Sequence, residues 1–188
     1  MSEALVRSML TEIGENPDRE GLLETPKRVS KAWKEWFSGY GQNPADVLKV
    51  FKDGAEGYRD MVIVHNIPVY SFCEHHMAPI IGKAHVGYIP NGVICGLSKL
   101  NRLVDIFARR LQVQERLTTE IADALQETLE PLGVGVLVQC RHMCMESRGV
   151  KSHGEGFTTT SAMRGALMTE EAARSEFLGL CQSANNGI

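Results

Sequence analysis

The chain opens with apolar side chains at helical spacing. Leu5, Met9 and Ile13 recur at intervals of four, and a turn containing glycine and proline ends that pattern, which predicts a first helix. A second helix is predicted from Thr25, where a good N-capping residue precedes a proline at the first helical position, and it ends near Gly39. Its two tryptophans lie on one apolar stripe and are interpreted as core.

From residue 61 the pattern becomes strand-like. Residues 61–64 and 67–70 together predict a first strand, and residues 80–89 predict a second strand that ends at a Pro-Asn-Gly turn. Further along, residues 134–145 are the most strand-like part of the chain, and residues 158–161 predict a short additional strand.

Two helices are predicted between these pairs of strands. The first is expected to be capped by Ser98, and the second covers about 113–129, while a last helix is predicted near the C-terminus. The order strand, strand, helix, helix, strand, strand predicts an α+β fold in which an antiparallel sheet carries two helices on one face. We therefore expect an N-terminal helical region, 1–60, and one folded core, 61–188.

Composition excludes several classes of protein. The 188 residues are 43% hydrophobic and 23% charged, as in ordinary globular proteins rather than disordered ones. The net charge of −3 disfavours a broad basic surface for nucleic acid. No apolar run approaches the ~18 residues that span a bilayer, and the N-terminus lacks the apolar segment of a signal peptide. We therefore expect no nucleic-acid or membrane partner and a cytoplasmic location.

The cysteines and histidines fall into two clusters. One is Cys73-Glu74-His75-His76, and the other places Cys140, His142 and Cys144 two residues apart, so that on a strand all three would face one side. Thiolate and imidazole suit Zn²⁺ better than Mg²⁺ or Ca²⁺. The two adjacent histidines are expected to diverge, so that at most one is a ligand. Buried thiols and hydrogen-bonded histidines are the alternative interpretation.

The number of candidate ligands favours a catalytic zinc over a structural one. No second Cys-x2-Cys or His-x3-His pair is present, and three protein ligands leave a position for water, whose pKa falls to about 7 on zinc. Such a site produces a nucleophile for hydrolysis. The remaining histidines, with an ordinary pKa of about 6.5, are natural proton carriers.

The usual phosphate-binding and hydrolase motifs are absent from the sequence. There is no G-x-x-x-x-G-K-[ST], G-x-G-x-x-G, H-E-x-x-H or G-x-S-x-G. A phosphate-bearing substrate would therefore depend on side-chain cations, although each cation alone is more typical of a solvated surface. The candidate cations are Arg28, Lys31, Lys99, Arg102, Arg148 and Lys151.

Several longer motifs together resemble GTP cyclohydrolase I, in the order of that family and from Glu24 to about residue 167. They are Cys73-Glu74-His75-His76, Gly82–Val86, Tyr88-Ile89-Pro90, Gly96–Leu100, Gln112–Thr118, and His142-Met143-Cys144 with Arg148-Gly149-Val150. The resemblance implies the tunnelling fold, in which subunit sheets join into a barrel, and a toroidal homodecamer with sites at subunit interfaces. Two features depart from the family pattern: Leu111 stands where a proline is usual, and the loop 151–156 is richer in glycine.

The resemblance also implies an activity and a set of roles. The family opens the imidazole ring of GTP, releases C8 as formate and closes a pterin ring to give 7,8-dihydroneopterin triphosphate, the first step of folate and pterin biosynthesis. By motif, Cys73, His76 and Cys144 would hold one Zn²⁺ per subunit. His75 and His142 would be the acid and base beside the metal.

The substrate-binding roles follow from the same resemblance. Glu115, helped by Gln114, would read the Watson–Crick edge of guanine, which fits because a carboxylate accepts two donors from N1–H and the exocyclic amine. Ser98 would handle a proton or contact phosphate. The triphosphate clamp would consist of Lys99, Arg102, Arg148, Arg28 and Lys31.

Two other functions compete with this interpretation. One is a non-catalytic, zinc-stabilised oligomer that binds a purine or a partner, which is disfavoured because the histidine pair and Gln114-Glu115 occur together. The other is a related tunnelling-fold enzyme for a different purine or pterin. The nitrile reductase of queuosine synthesis lacks this zinc triad, and a pterin synthase of the same fold would use three histidines.

Overall fold

The structure is a computed structural model that describes residues 1–149 and 156–185. It begins with two helices, α1 (Glu3–Glu12) and α2 (Thr25–Trp36), where the helical periodicity predicted them. Among the described residues, no helix combines the length and apolar character that crossing a membrane requires. Short 3₁₀ turns lie at Glu20–Leu22, Ser38–Gly41 and Pro44–Asp46.

The longer strands and helices then follow in the predicted order, and several short elements lie between them. The strands are β1 (Val50–Phe51), β2 (Val62–Cys73), β3 (Pro79–Ile89), β4 (Ile94–Cys95), β5 (Leu111–Gln112), β6 (Gly133–His142) and β7 (Thr158–Gly165). The later helices are α3 (Leu97–Ala108), α4 (Gln114–Leu129), the short α5 (Met143–Glu146) and α6 (Ala166–Thr169), and α7 (Glu171–Asn185).

The main sheet has the strand order β5-β2-β3-β6-β7. Strands β2, β3, β6 and β7 are antiparallel, and the two-residue β5 adds a parallel edge beside β2. Strands β1 and β4 form a separate antiparallel pair. The α+β class and the four antiparallel strands are therefore confirmed, with β5 as an addition that the sequence did not indicate.

Helices α3 and α4 lie on one face of this sheet. Helix α3 packs on β2, and α4 packs on β6 and β7. Leu103 of α3 and Ile121 of α4 are completely buried against strand residues such as Val86 and Val136. This burial of the helices against alternate strand residues gives the two-layer arrangement that the resemblance to the tunnelling fold predicted.

Helix α7 covers part of the opposite face. Phe177 is completely buried there and packs with Leu137, Leu167 and Cys181. Two glycines make room for its ring, since a Cβ atom on either Gly87 or Gly135 would lie 3.0–3.1 Å from an atom of that ring. A second small core therefore fixes the C-terminal helix to the sheet.

The first predicted strand contains a bulge. Residues 61–64 and 67–70 belong together in β2, as predicted, and the pairing register of β2 with β3 shifts between Val64 and Ile67. Asn66 has a positive φ of 52°, which asparagine tolerates better than most residues. The polar pair between the two apolar runs is therefore a β-bulge within the strand.

Two predicted helix caps are shifted. Ser98 lies inside the first turn of α3, whose N-cap is Gly96, because the first hydrogen bond runs from the Lys99 amide to the Gly96 carbonyl at 2.8 Å. Thr25 is likewise the first residue of α2, after Glu24 as N-cap. Neither helix begins with a side-chain cap.

The strand predicted over residues 134–145 ends earlier. Strand β6 stops at His142, and the next four residues form α5. An ion pair between Arg141 and Glu146 spans this helical turn, and the Ser147 hydroxyl donates to the Met143 carbonyl at 2.6 Å. Cys144 is consequently not on a strand, and the expectation that three alternate residues share one strand face was wrong.

Candidate functional site

Three sulfur and nitrogen atoms meet at one end of the sheet. Cys73 ends β2, His76 lies in the following turn and Cys144 lies in α5, and one ligand atom from each falls within 4.8 Å of the other two. The Cys73 Sγ to His76 Nδ1 distance is 3.7 Å. Tetrahedral zinc, with bonds of about 2.3 Å to sulfur and 2.0 Å to nitrogen, places such atoms about 3.6 Å apart. The donor set and spacing of this metal cluster therefore fit Zn²⁺.

The tight connection between β2 and β3 places His76 beside Cys73. The Cys73 amide donates to the Ala78 carbonyl, and the Met77 amide donates to the Cys73 carbonyl, both at 2.8 Å. Met77 adopts a positive φ of 52°, so the chain reverses within a few residues. Cys73 is buried while His76 is exposed, and the metal cluster is accordingly open to solvent on the histidine side.

The structure separates the two cysteines that spacing had left as alternatives. Cys140 is 1% exposed in the core between the sheet and the helices, and burial raises the pKa of its thiol to about 12. Cys144 is half-buried beside Cys73, where burial and the hydrogen bond with the Cys73 thiol raise its pKa. Of the two, only Cys144 lies in the metal cluster.

His75 lies next to the metal cluster but is not one of its three members. Its Nδ1 lies 3.9 Å from Cys73 Sγ, and its ring is nearly perpendicular to that of His76, at 80°. Its Nε2 lies 3.7 Å from a carboxylate oxygen of Glu74. A hydrogen bond from Arg116 lowers the pKa of that carboxylate. The Glu74–Arg116 pair was not singled out from the sequence, although both residues lie within the motifs.

The side chain of Gln114 joins His142 to the sheet. His142 Nε2 lies 2.8 Å from Gln114 Oε1, and Gln114 Nε2 lies 3.0 Å from the Val138 carbonyl, 2.9 Å from the Thr158 carbonyl and 3.1 Å from Thr160 Oγ1. Carbonyl oxygens only accept, so the amide must turn its NH₂ toward the strands and its oxygen toward His142. His142 Nε2 therefore donates, and in the neutral ring Nδ1 is the acceptor.

Two threonines complete this hydrogen-bonded network. The Thr118 hydroxyl donates to the Gln114 carbonyl at 2.7 Å and lies 2.6 Å from Thr160 Oγ1. Thr118 is 1% exposed and Gln114 is 2% exposed, so the network is shielded from water. Sequence reasoning missed both threonines. The available signal was that Thr118 lies one helical turn after Gln114, where a hydroxyl can bond back to the helix.

Two carboxylates face the His142 ring. Burial lowers the pKa of His142, while the charges of Glu115 and Glu146 oppose that shift. Glu115 is exposed at the first turn of α4, next to the buried Gln114. A cleft of about 160 Å³ lies beside His142 and is also lined by Glu146 and Phe157. Glu115 and Glu146 therefore both lie close enough to His142 to influence its charge.

The start of α3 lies toward the opposite end of the sheet. Its C-terminal end is the one near the metal cluster, since the Ser71 hydroxyl donates to the Arg110 carbonyl at 3.4 Å. At the other end, the Cys95 amide donates to the Tyr88 hydroxyl at 2.8 Å, and Tyr88 pairs with Val62, where β2 begins. The twelve residues of α3 span about 18 Å, which separates its first turn from the metal cluster.

The predicted polar residues are therefore divided between two places. Arg148 lies on the metal side, because its charge partly opposes the rise in the pKa of the Cys144 thiol. Arg28 and Lys31 are exposed on α2, and Lys151 lies outside the described residues. Within residues 1–149 and 156–185, none of the predicted clamp cations forms an ion pair. The residues that one chain does not bring to the metal cluster are Ser98, Lys99 and Arg102.

Comparisons with known proteins agree with the motifs. A sequence profile of the GTP cyclohydrolase I family matches residues 2–182. GTP cyclohydrolase 1 of Janthinobacterium sp. (strain Marseille) is 61% identical over 94% of this chain and 88% of its own length. The Nitrosospira multiformis protein of that name is 57% identical over 93% of this chain and 91% of its own length.

A solved structure of the archaeosine synthase QueF-Like in the apo form aligns with 56% of this chain and 93% of its own, at 18% identity and a TM-score of 0.46. That likeness is too weak to support a conclusion. The two sequence relatives and the family profile suffice, because each covers more than nine-tenths of the chain. The chain belongs to the GTP cyclohydrolase I family of enzymes.

Proposed function

We propose that this protein is a zinc-dependent GTP cyclohydrolase I that converts GTP to formate and 7,8-dihydroneopterin triphosphate. The observation that carries the proposal is the meeting of Cys73, His76 and Cys144 at the same end of the sheet as His142. Three soft or borderline donors hold one Zn²⁺ and leave a position open. When bound, the ion supplies Lewis acidity toward water and toward the carbon under attack.

The two histidines manage protons around that centre. His142 donates through Nε2 to Gln114, so its Nδ1 is the atom that accepts a proton during opening of the imidazole ring. The pKa of His142 is lowered by burial, which keeps the ring neutral at pH 7 and able to act as a base. His75 is the second acid or base, and its Nε2 lies 3.7 Å from a carboxylate oxygen of Glu74.

Guanine is recognised at the start of α4. The exposed Glu115 carboxylate accepts hydrogen bonds from N1–H and the exocyclic amine, which adenine does not present in that arrangement. Gln114 is almost fully buried and its amide is engaged by β6, β7 and His142. We therefore assign Gln114 to positioning His142 rather than to contacting the base, and it acts through that ring.

A second copy of the chain supplies the rest of the site. Ser98 and Lys99 begin α3, a helix about 18 Å long whose other end lies near the metal cluster, and this separation is too large for a hydroxyl that must reach the ribose beside the reacting base. We assign both residues, together with Arg102, to a neighbouring subunit. The cations of that subunit would meet the triphosphate, while Arg148 and α2 of the first subunit contribute from the metal side. A homo-oligomer is therefore required. The toroidal decamer, the place of the product in folate and pterin biosynthesis, and the cytoplasmic location remain predictions.

The decisive experiment incubates the zinc-loaded protein with GTP and measures formate together with fluorescent neopterin after oxidation and dephosphorylation. We expect equal amounts of both products, and neither product from a metal-stripped sample. GTP binding without formate, at full zinc occupancy, would point to the non-catalytic purine-binding oligomer. Formate from another purine but not from GTP would point to a related enzyme with a different substrate.

A further inference from the structure

A second group of potential metal ligands lies on the other face of the sheet. His65 in β2, His85 in β3 and Cys181 in α7 each offer one ligand atom, and these atoms all lie within 4.8 Å of one another. Cys73 belongs to the core on the α3 and α4 side, whereas Cys181 packs in the core under α7. Cys73 follows His65 by eight positions along β2, or about 26 Å of strand. This α7 cluster is thus distinct from the proposed active site.

The two imidazoles of the α7 cluster face each other through the same kind of atom. His65 Nδ1 lies 3.1 Å from His85 Nδ1, and the rings meet edge to face at 68°. Two nitrogens bound to one tetrahedral zinc at about 2.0 Å are about 3.3 Å apart. Only a small adjustment is needed for both nitrogens to bind a single ion.

Strand alternation places His65 in the α7 cluster. His65 follows Ile63 by two positions, and Ile63 packs against the core under α7, so both side chains lie on that face of β2. The β-bulge comes directly after His65, and there the Asn66 amide donates to the Ala184 carbonyl near the end of α7 at 3.4 Å. Adjacent residues of β2 therefore present an imidazole beneath the C-terminal helix and a hydrogen bond to its end.

Burial and donor chemistry favour a structural ion. His85 is 0% exposed and Cys181 is 1% exposed, while His65 is half-buried and gives access from solvent. Neighbouring Leu137 and Phe177 make the surroundings apolar, so a thiolate and two neutral imidazoles would neutralise half the charge of a divalent ion there. One sulfur and two nitrogens suit Zn²⁺, with water as a fourth ligand.

We propose that His65, His85 and Cys181 form a second zinc site that fastens α7 to the sheet. The α7 cluster shares no residue with the proposed active site, and the proposal does not rest on the proposed function. An ion held by β2, β3 and α7 would link the C-terminal helix directly to two central strands. Without the ion, the helix is held by the small apolar core of Phe177, Leu167 and their neighbours. Zinc would therefore stabilise the fold without taking part in turnover.

The test measures bound zinc per chain by elemental analysis after loading with Zn²⁺ alone and removal of excess. We expect two ions in the wild-type protein and one in both His65→Gln and Cys181→Ser. Cys95→Ser is the matched control, a buried thiol outside both clusters, and it should keep two ions. Cys73→Ser/Cys144→Ser should keep one, which separates the α7 cluster from the active site.

A thermal measurement supplements the stoichiometry. In the Cys73→Ser/Cys144→Ser background, zinc at about 100 times its Kd should raise Tm by about 5–10 °C. Adding Cys181→Ser or His65→Gln should abolish that rise, and Co²⁺ should lose its thiolate charge-transfer band in the same variants. One ion in the wild type, or a stoichiometry unchanged by His65→Gln, would overturn the proposal. The cluster would then be a hydrogen-bonded histidine pair beside a buried thiol.

Discussion

Gln114 Oε1 lies 2.8 Å from His142 Nε2, and the orientation of this amide is fixed from the other side by strands β6 and β7. The relationship is directional, because backbone carbonyls can accept only from the amide NH₂. It determines which nitrogen of His142 is free to accept a proton. A glutamine at the start of α4 thus sets the chemistry of a histidine at the end of β6.

Gln114→Met should therefore lower kcat more than it raises KM. The methionine fills a similar volume but leaves the His142 ring free to rotate and to change tautomer, and we expect a loss in kcat of about 10²-fold. Gln126→Met on the same helix, whose amide bonds only to the Pro131 carbonyl among the described residues, is the matched control and should keep its kcat. Thermal unfolding of both variants checks that folding is intact.

The ¹⁵N spectrum of the His142 ring tests the cause directly. The wild-type ring should carry its proton on Nε2, and Gln114→Met should show a mixture of tautomers. A purely structural role for Gln114 would lower stability without this change. If His142 proves to be protonated on Nδ1 in the wild type, the direction of proton transfer proposed above is wrong.

Cys144→Ser and His142→Ala should separate metal binding from proton transfer. Cys144 is one of three donors, so its serine variant should lose the active-site zinc and with it all turnover. His142 is outside the metal cluster, so His142→Ala should keep one equivalent of zinc in the active site while kcat falls by about 10²–10⁴-fold. Zinc content and formate release are measured on the same samples. Equal zinc in Cys144→Ser and wild type would remove Cys144 from the ligand set.

Glu115→Gln should weaken the recognition of guanine. A carboxylate that accepts two hydrogen bonds is replaced by an amide that accepts at only one atom, and we expect kcat/KM for GTP to fall by about 10–100-fold or more. Glu127→Gln, an exposed position on the same helix, controls for the change in charge. An unchanged kcat/KM in Glu115→Gln would show that another group reads the base.

The buried thiols outside the metal cluster should resist alkylation. Burial raises the pKa of Cys95 to about 11 and that of Cys140 to about 12, so their thiolate fraction at pH 8 is more than a hundredfold below that of an ordinary thiol with a pKa of about 8.5. Mass spectrometry after iodoacetamide treatment should find both unmodified in the native protein and modified after denaturation. Rapid native labelling of Cys95 would contradict this burial.

The sequence predicted the elements well because their signals are local. The helical spacing through α2 and α4, the alternation in β3 and the order of the elements all follow from periodicity alone. The two apolar runs on either side of Asn66 were assigned to one strand, but the bulge between them had no periodic signal. The end of β6 at His142 is accompanied by an ion pair between Arg141 and Glu146, which hydrophobicity does not report.

The sequence predicted which residues belong to the candidate site, but not how they contact one another. Motifs named the donors of the metal cluster, while spacing alone left Cys140 and Cys144 as equal candidates until the packing buried Cys140 in the core. Contacts between distant elements had no sequence signal. The bond from Gln114 to His142 joins residues 28 positions apart, and the cluster of His65, His85 and Cys181 joins three separate elements.

The division of the site between chains makes a prediction about mixtures of inactive variants. Cys144→Ser loses the metal half of a site, and Arg102→Ala loses the clamp half. If one chain supplied both halves, co-expressed variants would remain inactive. If neighbouring chains supply them, a random equal mixture should form sites with both intact halves in about a quarter of cases, by combinatorial assembly of a symmetric oligomer.

Co-expression with separate affinity tags, followed by tandem purification, selects the mixed oligomers whose formate release is measured. We expect about a quarter of the wild-type rate per subunit in the co-expressed pair. A mixture of Cys73→Ser with Cys144→Ser is the matched control, because both lesions lie in the metal half and no arrangement restores it. Activity in the first mixture and none in the second requires the clamp to cross a subunit boundary. Two inactive mixtures, with oligomers formed in both, would place Arg102 in the same chain as the metal that it serves.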